Sequence, residues 1–179
     1  MAVYKAVQKE YVNRKNYQIF KILEVKYDEN IILQKADLDQ IELVADLFDK
    51  YRVFYKQSSN VEEGKKFIRE RMENQQSVIF LAIEKQENLV RPLGFVQLYP
   101  SYSSVNLAKI WILNDLYVEQ SARRRGVATR LMQKAKEFAL ETGAKELTLE
   151  TAKDNHQAQQ LYELIGYKKD SEHFYYNLL

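Results

Sequence analysis

A chain of 179 residues that is 46% hydrophobic and 29% charged, with a formal net charge of only +2 and no cysteine, has the length of one domain with a buried core and the composition of a globular protein. The missing thiols exclude a disulfide framework, a cysteine nucleophile and cysteine-ligated zinc. Its apolar runs fall far short of a membrane span and its charges nearly balance, so a cytoplasmic protein with neither membrane nor nucleic acid as partner is expected.

In chain order, residues 1–29 scatter Val3, Val7, Ile19, Phe20, Ile22 and Leu23 without a sustained period. They read as an N-terminal extension: an arm that docks on the neighbouring subunit of a homodimer, or an ordinary edge element. They lack the apolar core and small-residue cleavage site of a secretory signal. Ile31-Ile32-Leu33 predicts the first strand. Ala36 to Tyr51 predicts a helix, with Leu38, Ile41, Val44, Leu47, Phe48 and Tyr51 along one side. Over the thirteen residues Asp37 to Asp49 its other face carries Asp37, Asp39, Glu42, Asp46 and Asp49 and no base; it is either a solvated face or a field that draws a cationic substrate. In the second case Tyr51 to Tyr55 and a following helix, Val61 to Asn74, border an acceptor pocket, with Tyr51 and Tyr55 as substrate contacts. Gly64-Lys65-Lys66 is not a phosphate loop, because Ser59 and Lys66 stand where a glycine and a hydroxyl residue are needed. Ser77 to Lys85 and Leu93 to Tyr99 predict an antiparallel hairpin turning at Gln86-Glu87-Asn88. Pro100 to Asn106 predicts a polar, mobile link.

The stretch that organises the rest runs from Ile110 to Gly143. Ile110 to Val118 is rich in β-branched and aromatic residues with one charge, Asp115, which suits a central strand covered on both faces. Burial there raises a carboxyl pKa, so Asp115 is either a general base or a structural acceptor for backbone amides. The turn Arg123-Arg124-Arg125-Gly126-Val127-Ala128 then places three cations at a helix start, where acids normally oppose the dipole, at a few tenths to about 1 kcal/mol each. No Ser, Thr, Asp or Asn stands immediately before Gly126 to cap the free amides. An anion on the turn answers both problems, so the turn reads as a phosphate site, with Gly126 opening the backbone and Ala128 keeping the next turn slim. The helix from Val127 repeats apolar residues at Leu131, Ala135, Phe138 and Ala139 and stops at Thr142-Gly143. Glu146 to Thr151 predicts a parallel strand beside the central one, and Asn155 starts a last helix through Ala158, Leu161, Tyr162 and Ile165. His156 and His173 join no recognisable triad or metal arrangement, and no metal is expected.

Arg123-x-x-Gly126-x-Ala128 directly after a strand, followed by a strand, Asn155, Tyr162 and Gly166-Tyr167, resembles the GCN5-related N-acetyltransferases (GNAT), over roughly residues 30 to 179. The resemblance implies an α/β (α+β) fold: a mixed, mostly antiparallel central sheet with a splayed parallel strand pair and helices on both faces. It implies acetyl-CoA as co-substrate, held by strand backbone at Leu116, Tyr117 and Val118, by the turn from Arg123 through Arg124, Arg125, Gly126, Val127 and Ala128 to Thr129, and by Asn155. Tyr162 matches the tyrosine that protonates the departing thiolate; a buried core tyrosine is the alternative. Tyr102, in the link, matches a border of the acceptor pocket. Asn114 to Val118 together with Phe54-Tyr55-Lys56 is most similar to the small polyamine and histone acetyltransferases. The activity implied is direct acetyl transfer to a primary amine, a small cationic one by the acidic first helix, with Asp115 or water as base. The rivals are an acyl-CoA sensor without turnover and acetylation of a protein lysine or N-terminus.

Overall fold

The computed structural model describes residues 30–86, 89–173 and 176; the expected N-terminal arm lies outside them. The elements are β1 (Ile31–Lys35), α1 (Ile41–Phe54), α2 (Val61–Glu73), β2 (Val78–Gln86), β3 (Leu89–Ser103), β4 (Ala108–Val118), α3 (Val127–Glu141), β5 (Glu146–Leu149) and α4 (His156–Ile165), with 3-10 turns at Leu38–Gln40 and Gln120–Ala122. The strands form one sheet in the order β1-β2-β3-β4-β5, antiparallel except for the parallel pair β4 and β5. The expected sheet is therefore present, and α3 is the crossover between its parallel strands.

Strand alternation divides the core into two layers. On one face Ile79, Leu81, Ile83 and Phe95 pack under Ile41, Val44, Leu47 and Phe48 of α1 and Ile68 of α2. On the other, Phe80, Ala82, Val96, Leu98, Trp111 and Leu113 pack against Val127, Leu131, Met132 and Ala135 of α3. The C-terminal end of α3 is tied to β4 by Trp111 Nε1, which donates to Thr142 Oγ1 at 2.8 Å. Gly143, at φ 67°, is the left-handed residue that ends the helix.

Two differences from the sequence reading bear on the site. The helix expected from Ala36 starts at Ile41, because Asp37 and Gln40 close a capping box around a 3-10 turn first. The expected link Pro100 to Asn106 is mostly strand: β3 runs to Ser103, with Pro100 opposite Trp111 and Tyr102 opposite Lys109. Proline is tolerated because pairing with β2 has already ended at Leu98, so no neighbour needs its missing N–H.

Candidate functional site

The site forms at the C-terminal end of β4, where a β-bulge re-aims the strand. Gln97 lies opposite Asp115, yet Leu98 lies opposite Leu113, leaving Asn114 as an extra residue. In an unbroken strand Asp115 would face the α3 layer with Leu113; the inserted residue turns it to the α1 side. Downstream, Leu116 and Val118 pack with the α3 layer and Tyr117 with the α1 layer.

Asp115 is 4% exposed. Gln97 Nε2 donates to its Oδ2 at 3.0 Å and Asn114 Nδ2 to its Oδ1 at 3.0 Å, and the Tyr51 hydroxyl of α1 adds a third hydrogen bond. Burial pushes the Asp115 carboxyl above the usual carboxylate range, and these donors oppose the rise without cancelling it. The Tyr51 phenol is pushed well up by burial and then by the Asp115 charge. Tyr51 meets Tyr55 edge to face, ring centroids 5.0 Å apart, and Tyr162 of α4 lies within electrostatic reach of both phenols. Tyr162 is raised by burial, with a hydrogen bond to Thr151 opposing. Its ring leans on Tyr167 at 6.1 Å. Asp115, Tyr51, Tyr55 and Tyr162, read from separate stretches of sequence, thus meet in one cluster.

The arginine turn sits at the same end of β4. Gly126 caps α3 in the left-handed conformation, φ 77°, with no side chain on the free amides and no acid in the first turn, so a diphosphate can take the amides of Val127, Ala128 and Thr129. The three arginines differ in role. Arg123 Nε donates to Val118 O at 3.3 Å, fastening the turn to the strand. Arg125 is ion-paired to Glu84 of β2, 7% exposed, so its counter-charge comes from the protein. Arg124 bends the turn at φ 62°. Pairing of β4 with β5 stops at Leu113 and Leu149, which leaves the β5-side edge of Leu116, Tyr117 and Val118 without a strand partner among the described residues and open to an extended ligand. Asn155 caps α4, accepting from Ala158 N at 3.3 Å.

Tyr102 does not join this cluster. It lies five residues beyond Gln97 on β3, about 16 Å along the strand and on the opposite face, and is 75% exposed. The acidic face of α1 is not an open field either. Glu42 is paired with Lys65, Asp46 with Lys50 at 2.8 Å, and buried Asp49 accepts from Ser59 Oγ and Asn60 N at 2.7 Å each, which fixes the loop between α1 and α2. Sequence reading missed Gln97, Glu84 and Tyr99. Gln97 was readable as the one polar residue in Phe95-Val96-Gln97-Leu98; Tyr99, whose hydroxyl accepts from Gln97 Nε2 and whose pKa burial pushes up to about 12, and Glu84 needed the strand register. Among the described residues no three His, Cys, Asp or Glu side chains gather to hold a metal, and no helix is long and apolar enough to cross a membrane.

Residues 41–167 match the model of the acetyltransferase (GNAT) family. The chain is 42% identical to the uncharacterized N-acetyltransferase YhfO of Bacillus subtilis, over 82% of this chain and 95% of that protein. It is 33% identical to a probable acetyltransferase of Haemophilus influenzae, over 76% and 89%. A crystal structure of a probable acetyltransferase, 44% identical, superposes with a TM-score of 0.77 over 83% of this chain and 97% of that one.

Proposed function

The chain belongs to the GNAT acetyltransferase family, and from that premise we propose that it moves an acetyl group from acetyl-CoA to a primary amine by direct attack, with no covalent intermediate on the protein. The observation that carries this reading is one of position: the uncapped start of α3, the unpartnered edge of β4 and the Asp115–Tyr51–Tyr55–Tyr162 cluster all lie at one end of one strand. The diphosphate rests on the turn, the coenzyme arm lies along Leu116 to Val118, and Asn155 steadies it. The thioester, delivered at the strand end, supplies the electrophile. The ammonium proton ends on Asp115, a β4 amide steadies negative charge on the carbonyl oxygen, and Tyr162 donates to the leaving sulfur.

A small cationic amine is the acceptor proposed. With the α1 acids paired, its support is the cluster itself, where the Tyr51 and Tyr55 rings and the Asp115 charge suit an ammonium group. A cytosolic homodimer completes the proposal. Thiol release from acetyl-CoA with a panel of amines tests the reaction, and light scattering tests the dimer. Gly126→Glu should abolish the calorimetric heat of coenzyme binding; an unchanged isotherm would remove the turn from the site.

A further inference from the structure

We propose that Tyr51 takes the proton from the acceptor amine and hands it to Asp115, so that the base of this chain is a two-residue relay. The inference rests on the acetyl-transfer reading above and names the group that meets the amine.

Asp115 is 4% exposed, and each of its oxygens is occupied by a side-chain amide, from Asn114 and from Gln97, at 3.0 Å. These two donors hold the carboxylate in place, and its burial keeps it from a ligand that arrives along the β4 edge. Tyr51 is the third donor. It comes from α1 and is only half-buried. It stands edge-on to Tyr55 at 5.0 Å, with Tyr162 within electrostatic reach. A hydroxyl that donates to a carboxylate keeps lone pairs for an incoming N–H. The ammonium proton passes to Tyr51 Oη as the Tyr51 proton passes to Asp115, and the amine lone pair is freed. That pair forms the N–C bond; the C–S bond breaks, the sulfur takes the Tyr162 proton, and the second proton, shed by the nitrogen as the amide forms, returns to the Tyr162 oxygen. Water later removes the proton from Asp115 through Tyr51. Gln97 and Asn114 are positioning residues. The titratable groups facing the pair are Tyr55 from α1, Tyr99 from β3 and Tyr162 from α4, and Arg71 of α2 acts on Tyr99. Burial keeps Tyr99 and Tyr162 protonated over the assay range, so the titration read near the acid limb is that of Asp115.

Two measurements test the relay. In the first, the carbon-13 carboxyl resonance of Asp115, assigned by its loss in Asp115→Asn, is followed against pH without substrate. Tyr51→Phe removes a donor to the charged form and should move the midpoint up by about one pH unit; an unmoved midpoint overturns the relay. The second uses acetyl-CoA with 1,5-diaminopentane, thiol release and a circular dichroism check of folding. Tyr51→Phe should lower kcat on the order of 100-fold with little change in the KM of the amine and an acid limb displaced to higher pH. The double variant with Asp115→Asn should be no slower than Asp115→Asn alone, as for residues that act as a unit. Multiplying losses, or a change confined to KM, leave Tyr51 a binding contact and overturn the relay. A wild-type protein that turns over while Tyr51→Phe matches it sinks the relay alone. A wild type that releases no thiol with any amine sinks the acetyl-transfer reading, and the relay with it.

Discussion

Asp115 shows what one side chain can be made to do by its surroundings. Its carboxyl is raised by burial and partly restrained by three donors, so its folded-state pKa lies above the ordinary 3.8 of an aspartate. A raised pKa means that the folded state binds the proton more tightly than the unfolded chain. The contribution to stability is full below the unfolded value and is lost as pH rises through the folded one. Wild type should therefore gain on Asp115→Asn at pH 4 and give that gain back by pH 7, read as the difference in urea midpoints at the two values. Over the same range Asp115→Asn should lose roughly 100-fold or more in turnover at neutral pH. Sequence alone marked Asp115 as the one carboxylate of a central strand, and that much was legible from hydropathy. Which donors surround it was not, because Tyr51, Gln97 and Asn114 reach it from α1, β3 and a bulge, and a bulge has no signature in the alternation of Ile110 to Val118.

The elements were legible where one face is apolar and one is wet. α3 runs from Val127 to Glu141 with its stop at Thr142-Gly143, as the spacing of Leu131, Ala135 and Ala139 requires. The β3–β4 ribbon was not: Pro100 and the serines that follow it look like a loop, yet β4 supplies them with a register. That ribbon is drawn tight at one point. A Cβ on Gly94 would stand 2.5 Å from Tyr117 O, closer than any side chain tolerates, and a tight 3.1 Å from Val118 Cα, and both atoms are backbone. Gly94→Ala should force β3 away from the strand end that carries the site. The expected cost is about 1 to 3 kcal/mol, seen in chemical denaturation, with a loss of coenzyme affinity that Gly64→Ala, which would meet only the Phe48 ring at 3.3 Å, should not share.

At the scale of the molecule, the proposed coenzyme site joins parts far apart in sequence: β4, the turn, α3 and α4. A ligand that spans them binds the folded state alone, so at 100 times its dissociation constant it adds about 2.7 kcal/mol. For a chain of this size that corresponds to roughly 5–10 °C in Tm. Differential scanning fluorimetry with acetyl-CoA should show the rise, and Gly126→Glu should not. The balanced composition made one globular unit readable at once, and the pairing of Asp46 with Lys50 four residues on was within reach of helical spacing, whereas that of Glu42 with Lys65 could not be read from a stripe of acids whose partner comes from a neighbouring helix. The mooring of Arg125 to Glu84 has a kinetic corollary. That pair is largely screened from counter-ions by its burial, while Arg123 and Arg124 project into solvent, where added salt shortens their range. Raising ionic strength should then slow coenzyme capture in stopped flow and leave its escape rate nearly constant: the exposed guanidinium groups recruit, and the shape of the turn retains.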